Sequence, residues 1–93
     1  MMKWFVYIAR CSDGSLYIGR TTDLKRRLRE HNQGIGSLFT KNKKPIKLVY
    51  VERHKTLSEA FKREFQIKGW KREKKENLIK YGKPILNMEK KSS

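Results

Sequence analysis

The sequence predicts an α+β domain, a small three-stranded antiparallel sheet flanked by helices. Three observations carry the prediction. Two alternating apolar segments, residues 3–10 and 15–20, are separated only by Ser12-Asp13-Gly14, which makes them a hairpin. A third alternating segment, residues 46–53, lies between two stretches with helical spacing. The resulting order, β-β-α-β-α-α, fits one sheet with helices packed against it. With 93 residues the chain makes a single domain with one modest core, expected over residues 1–88. Residues 89–93 are expected to form a basic disordered tail.

In the first strand Trp4, Val6 and Ile8 share one face, and Phe5, Tyr7 and Ala9 the other. In the second, Leu16 and Ile18 oppose Tyr17 and Gly19. The loop length decides whether the tyrosines share a face. A two-residue Asp13-Gly14 turn would separate them. A three-residue loop with Gly14 in the left-handed conformation pairs Cys11 with Ser15, Ala9 with Tyr17 and Tyr7 with Gly19. That register collects Val6, Ile8, Leu16 and Ile18 as a core face, so it is the expected one.

A helix is expected to begin near Thr21 or Thr22, either of which can cap it, with Asp23 in its first turn. Leu24 and Leu28 point to the core, while Arg27 and His31, also four apart, share a neighbouring face. Gly34 and Gly36 end this helix. In the following loop Leu38 and Phe39 are expected to be anchors, and Pro45 closes it. The third strand alternates Ile46, Leu48 and Tyr50 against Lys47, Val49 and Val51. Thr56-Leu57-Ser58-Glu59 matches a capping box and opens a helix over about 57–68. There Glu64 stands between two aromatics of core type, Phe61 and Phe65. Gly69-Trp70 breaks that helix, a shorter one over about 72–80 packs through Leu78 and Ile79, and Gly82 stops it. The last ordered stretch is expected at Pro84-Ile85-Leu86-Asn87.

Net charge is +15, from 24 Lys and Arg against 9 Asp and Glu, which points to a polyanionic partner. No stretch pairs a long apolar helical face with a basic one, so an acidic membrane is not the expected partner. The apolar run from Trp4 to Ala9 is too short for a membrane span or signal peptide, and Cys11 is the sole cysteine. A cytoplasmic location is therefore expected, with Cys11 as a small apolar residue. The loop lysines Lys41, Lys43 and Lys44, together with Lys68, are the candidate nucleic-acid contacts. Phosphate contacts dominate affinity for DNA and RNA alike, so DNA is the first expectation and RNA stays open.

Several residue types suit phosphodiester chemistry. Arg27 can donate two hydrogen bonds to phosphate oxygens. His31 can shuttle a proton near neutral pH. Tyr7 and Tyr17 can orient water or phosphate, and a tyrosine beside cations can act as a general base. Glu64 can hold one hard cation such as Mg²⁺, or else pair with Lys62 or Lys68 on the helix surface.

Phe5-Val6-Tyr7, Tyr17-Ile18-Gly19, Arg27, His31 and Glu64, in this order and at these spacings, resemble the GIY-YIG nuclease signature. Ser12-Asp13-Gly14-Ser15-Leu16, Arg26-Arg27-Leu28 and Leu48-Val49-Tyr50 extend the resemblance, which covers essentially the whole chain. It is nearest to the small stand-alone bacterial members. The first triplet begins with Phe5 rather than glycine. The resemblance implies a metal-dependent endonuclease using Mg²⁺ or Mn²⁺ on DNA, with selectivity for DNA structure left open. By it, Tyr17 is the water-activating base and Tyr7 a second site tyrosine. Arg27 stabilises phosphate, His31 assists proton transfer, Glu64 is the metal ligand, and Gly19 and Asn87 support the site. The alternatives are a non-catalytic nucleic-acid-binding module with the same fold and a basic accessory protein of RNA complexes.

Overall fold

The computed structural model describes residues 3–82. Strands β1 (Trp4–Arg10), β2 (Leu16–Thr21) and β3 (Lys47–His54) alternate with helices α1 (Leu24–Asn32), α2 (Leu57–Lys68) and α3 (Arg72–Tyr81) in the order β1-β2-α1-β3-α2-α3. The sheet is antiparallel with strand order β2-β1-β3, so β2 has one free edge among the described residues. Pro84–Asn87 and the tail lie outside the described residues.

The hairpin has the three-residue turn. Cys11 N–H donates to the Ser15 carbonyl at 2.9 Å, Gly14 sits at φ +88°, and Asp13 accepts from both the Ser15 amide and its hydroxyl. Positive φ is nearly free for glycine and costly for other residues, so Gly14 sets the loop length. The register follows: Ala9 faces Tyr17, and Tyr7 faces Gly19.

Alternation then sorts the strands into two cores. On one face Val6, Ile8 and Ile18 pack with Ala60 and Ile67 of α2 and Leu78 of α3. On the other, Tyr7, Ala9, Cys11 and Ile46 lie under Leu24 and Leu28 of α1. The simple alternation expected for β3 is broken. Ile8 pairs with Tyr50 but Ala9 with Leu48, so Val49 is an extra residue. This bulge lets Val49 and Tyr50 both join the α2 side, while Leu48 stays on the α1 side.

Three local expectations are corrected. Asp23, not a threonine, caps α1: its carboxylate accepts the Arg26 N–H at 3.0 Å, and the Thr21 hydroxyl braces Asp23 by accepting its amide. Leu38 is 90 % exposed and does not anchor the loop; Phe39, though exposed, lays its ring 5.9 Å from that of Tyr17, and the buried anchors are Thr40 and Ile46. Asn32 explains this, since its side chain takes the Ile46 N–H at 2.7 Å and donates to the Ile46 carbonyl at 3.1 Å, tying the loop's end to α1. Phe61 and Phe65 are exposed as well. The buried stripe of α2 runs Ala60, Glu64, Ile67, and each phenylalanine falls one position round the helix from it. The Thr56 capping box forms, with the Glu59 carboxylate reaching back to the Lys55 N–H. Arg10 clasps Glu76 with two hydrogen bonds, and Arg72 reaches the Gly14 carbonyl, fastening α3 to the hairpin.

Candidate active site

The shared face of Tyr7 and Tyr17 follows from the hairpin register, and Gly19 provides the space. A methyl group at Gly19 would come within 2.6 Å of the Tyr7 hydroxyl and 2.9 Å of the Tyr17 ring. The two rings lie 6.2 Å apart at a tilt of 41°. Above them α1 delivers Arg27 and His31 one turn apart. Tyr7 Oη lies 2.9 Å from His31 Nε2 and 3.3 Å from Arg27 Nε.

The donor inventory orders this chain of hydrogen bonds. Arg27 can only donate, so the Tyr7 oxygen accepts from it and gives its own proton to His31 Nε2. His31 Nδ1 then carries the hydrogen and donates to the Thr40 hydroxyl at 2.8 Å. That arrangement is a neutral imidazole. Burial agrees, since it holds the His31 pKa below 6.5, helped by the nearby Arg27 charge. Burial likewise pushes the Tyr7 phenol up to about 12, against the opposing hydrogen bond from Arg27. Tyr7 is therefore a protonated link at neutral pH. His31 is fully buried, behind the tyrosines rather than at the surface, with its ring edge-on to Tyr17 at 5.0 Å. Gly36 is packed directly against the His31 ring, leaving no room for a side chain.

A cleft of about 310 Å³ opens at the edge of β2, lined by Trp4, Tyr17, Gly19, Arg20, Arg27 and Glu64. Tyr17 and Arg27 reach it from the α1 side of the sheet. Arg20 follows Ile18 onto the opposite side, where α2 supplies Glu64. The site residues therefore converge round an edge, not across one face. Arg27 is braced within it by Glu30 at 3.1 Å. Glu64 is buried, and its two oxygens are bound by Arg20 at 2.5 Å and Lys68 at 2.8 Å. A second hollow of about 250 Å³, lined by Leu16, Tyr17, Ile18, Phe39, Lys68 and Lys75, shares Tyr17 with the first.

Of the lysines, Lys41 and Lys44 are exposed on the loop. Lys43 lies 3.6 Å from Asp13 and 3.7 Å over the Phe39 ring, and Lys68 is held by Glu64. Asn87 lies outside the described residues. Arg20 and Thr40 escaped the sequence reading, and Gly36, expected only to end the helix, is the residue packed on the His31 ring. Alternation alone would have put Arg20 on the α2 side, but nothing in the sequence shows that Glu64 meets it there.

Two tyrosines diagonal to one another across the hairpin, an arginine and a histidine from α1 and a glutamate from α2 thus stand together, in the order of the GIY-YIG nuclease signature. Residues 3–77 match the family model of the GIY-YIG catalytic domain, and the chain belongs to that family. More particularly, it is similar to small UPF0213 proteins. A UPF0213 protein of Staphylococcus aureus is 53% identical over 80 residues, covering 86% of this chain and 98% of the relative. The solution NMR structure of a UPF0213 protein from Bacillus halodurans is 39% identical with a TM-score of 0.56, covering 85% of this chain and 84% of that one. A protein from E. faecalis, also solved by NMR, is 39% identical with a TM-score of 0.60, covering 86% and 85%. Among the described residues no helix is long and apolar enough to cross a membrane.

Proposed function

We propose that this protein is a metal-dependent endonuclease that hydrolyses phosphodiester bonds in DNA. The observation that carries the reading is the cleft in which Tyr17, Arg27 and Glu64 line one wall-to-wall space. The net charge of +15 suits a polyanionic substrate.

The donor set suits a hard cation. Glu64 is the one carboxylate lining the cleft, and no group of three or more His, Cys, Asp or Glu suited to a metal occurs among the described residues. Zinc asks for several nitrogen or sulfur ligands, whereas Mg²⁺ or Mn²⁺ accepts one carboxylate and fills its shell with water and phosphate oxygens. Glu64 is the residue that would hold such an ion, which when bound would supply Lewis-acid stabilisation of phosphate charge and a more acidic water.

The chain's own residues do the rest. Arg27, oriented by Tyr7 and Glu30, donates to non-bridging phosphate oxygens, where negative charge grows as the water oxygen attacks phosphorus. Tyr17 lines the cleft beside Arg27. Once it has given its own proton to solvent, its phenolate takes the proton of the attacking water. The leaving oxygen departs with the electrons of the broken P–O bond and takes a proton from water. Tyr7 and His31 act from behind: the neutral imidazole accepts from Tyr7, which keeps the phenolic oxygen turned towards Arg27. Gly19 keeps the two tyrosines close. Lys41 and Lys44 hold flanking phosphates.

One observation favours the rival binding-module reading, namely that Arg20 and Lys68 already neutralise Glu64. Labelled single-stranded, duplex and branched DNA and RNA, incubated with Mg²⁺, Mn²⁺ or a chelator, separate the readings. The nuclease cuts DNA only with the metal. Tight binding without cutting of any substrate would establish the module instead.

A further inference from the structure

We propose that Arg20 is a second phosphate-binding residue of the cleft, and that its departure from Glu64 couples nucleic-acid binding to cation binding. The inference rests on the reading of Glu64 as a cation ligand and adds a partner to it. Both Glu64 oxygens are occupied: Arg20 Nη1 lies 2.5 Å from Oε1 and Lys68 Nζ 2.8 Å from Oε2. The Glu64 side chain is 8 % exposed with a cation against each oxygen, so a divalent ion binds there against the charge of both partners unless one withdraws.

Arg20 is the one placed to leave. Lys68, four residues after Glu64 on α2, is the more exposed of the two at 52 %, but it lines the neighbouring hollow and stands outside the cleft that a phosphate would enter. Arg20 comes from a different element, is 35 % exposed, and lines the cleft that Arg27 also lines. Its planar fork matches phosphate oxygens as well as it matches a carboxylate. The exposed ring of Phe61 lies 5.2 Å from the guanidinium carbon and gives Arg20 a second contact at the rim, independent of Glu64.

The electrostatics then run in one direction. Without nucleic acid, a divalent ion at Glu64 meets Arg20, Arg27 and Lys68 with only the carboxylates of Glu64 and Glu30 to offset them. A phosphate in the cleft supplies a further anion, draws Arg20 away and uncovers Oε1. Each ligand therefore improves the affinity of the other by the same factor. In the free protein the Arg20–Glu64 pair keeps the carboxylate closed.

Mn²⁺ binding to the full chain, followed by the electron paramagnetic resonance of free Mn²⁺, tests the coupling. It is measured with and without a hydrolysis-resistant phosphorothioate DNA oligonucleotide, whose own Mn²⁺ uptake is subtracted. For the parent, the oligonucleotide should tighten Mn²⁺ binding by about tenfold, within the usual range of site-to-site coupling. Arg20→Gln should bind Mn²⁺ more tightly than the parent without DNA, and DNA should then add little. Arg20→Lys keeps the charge but not the fork and should lose most of the coupling while preserving the fold, as circular dichroism would report. Lys68→Gln should tighten Mn²⁺ binding yet retain the coupling. Equal coupling in the parent and both Arg20 variants, or weaker Mn²⁺ binding by Arg20→Gln, would overturn the proposal and leave Glu64 as a ligand. No Mn²⁺ binding by the parent under either condition would overturn the ligand reading along with it.

Discussion

Gly19→Ala probes the tyrosine pair without touching a reactive group. Gly19 is directly opposite Tyr7 in the sheet, and its added methyl would stand 2.6 Å from the Tyr7 hydroxyl, 2.7 Å from the adjoining ring carbon and 2.9 Å from the Tyr17 ring. All three are below van der Waals contact, and Tyr7 is 1 % exposed, so its ring has no solvent to retreat into. Overpacking of this kind costs about 1–3 kcal/mol. In a domain of roughly 60–100 residues each kcal/mol lowers Tm by about 4–8 °C. The expected drop is therefore at least about 4 °C in a thermal melt. Tyr7 must also move off His31 and Arg27, so cleavage per folded molecule should fall too. Gly14→Ala is the matched control. Nothing lies within 4 Å of its added methyl, but φ is +88°, so only backbone strain of about 1–2 kcal/mol is introduced. It should lower Tm and leave cleavage per folded molecule intact. A Gly19→Ala protein that melts and cuts like the parent would refute the packing of Tyr7 against this strand and the role given to that packing.

Stability should depend on pH through His31. Its folded pKa lies below 6.5, so between that value and 6.5 the unfolded chain binds the extra proton. Stability contributed by His31 is thus full above about pH 6.5 and is lost as pH falls below it. Urea midpoints measured across this range should decline on acidification, and His31→Gln should remove that part of the decline while lowering stability at neutral pH. On the loop, Lys41→Gln and Lys44→Gln should each reduce the log–log salt slope of duplex DNA affinity by roughly 0.9 with little effect on Tm. Lys43→Gln should in addition destabilise the loop, because Lys43 also holds Asp13 and covers Phe39. A salt slope unchanged in all three would place the DNA path elsewhere.

Much of this architecture is legible in the chain because the controlling features are local. The Ser12-Asp13-Gly14 turn sets the register, and the register puts Tyr7 and Tyr17 on one face. Thr56 and Glu59 mark the start of α2, and Gly82 the end of α3. Arg27 and His31 follow from helical spacing. What sequence reasoning missed depends on long-range partners. The bulge at Val49 arises from fitting β3 against two different cores. The loop anchor is Thr40 because His31 is buried beneath it, a need that no pattern within residues 34–45 displays. Phe61 and Phe65 read as core by composition, but the orientation of α2 is set by Ala60 and Ile67, and that same orientation buries Glu64. The Arg20–Glu64 pair spans two elements from separate parts of the chain.

Whether Glu64 acts as a cation ligand in a phosphodiester-cleaving site is decided by Glu64→Gln. The substitution keeps the size of the side chain and a hydrogen-bonding oxygen while removing the charge. The measurement is the single-turnover cleavage rate of labelled DNA in Mg²⁺, for parent and variant with matched circular dichroism and with DNA affinity measured alongside. The expected rate is lower by about a hundredfold or more, equal to roughly 2.7 kcal/mol of barrier, with DNA affinity kept or improved. A Glu64→Gln protein that cuts as fast as the parent would contradict it, leaving Glu64 as a structural partner of Arg20 and Lys68.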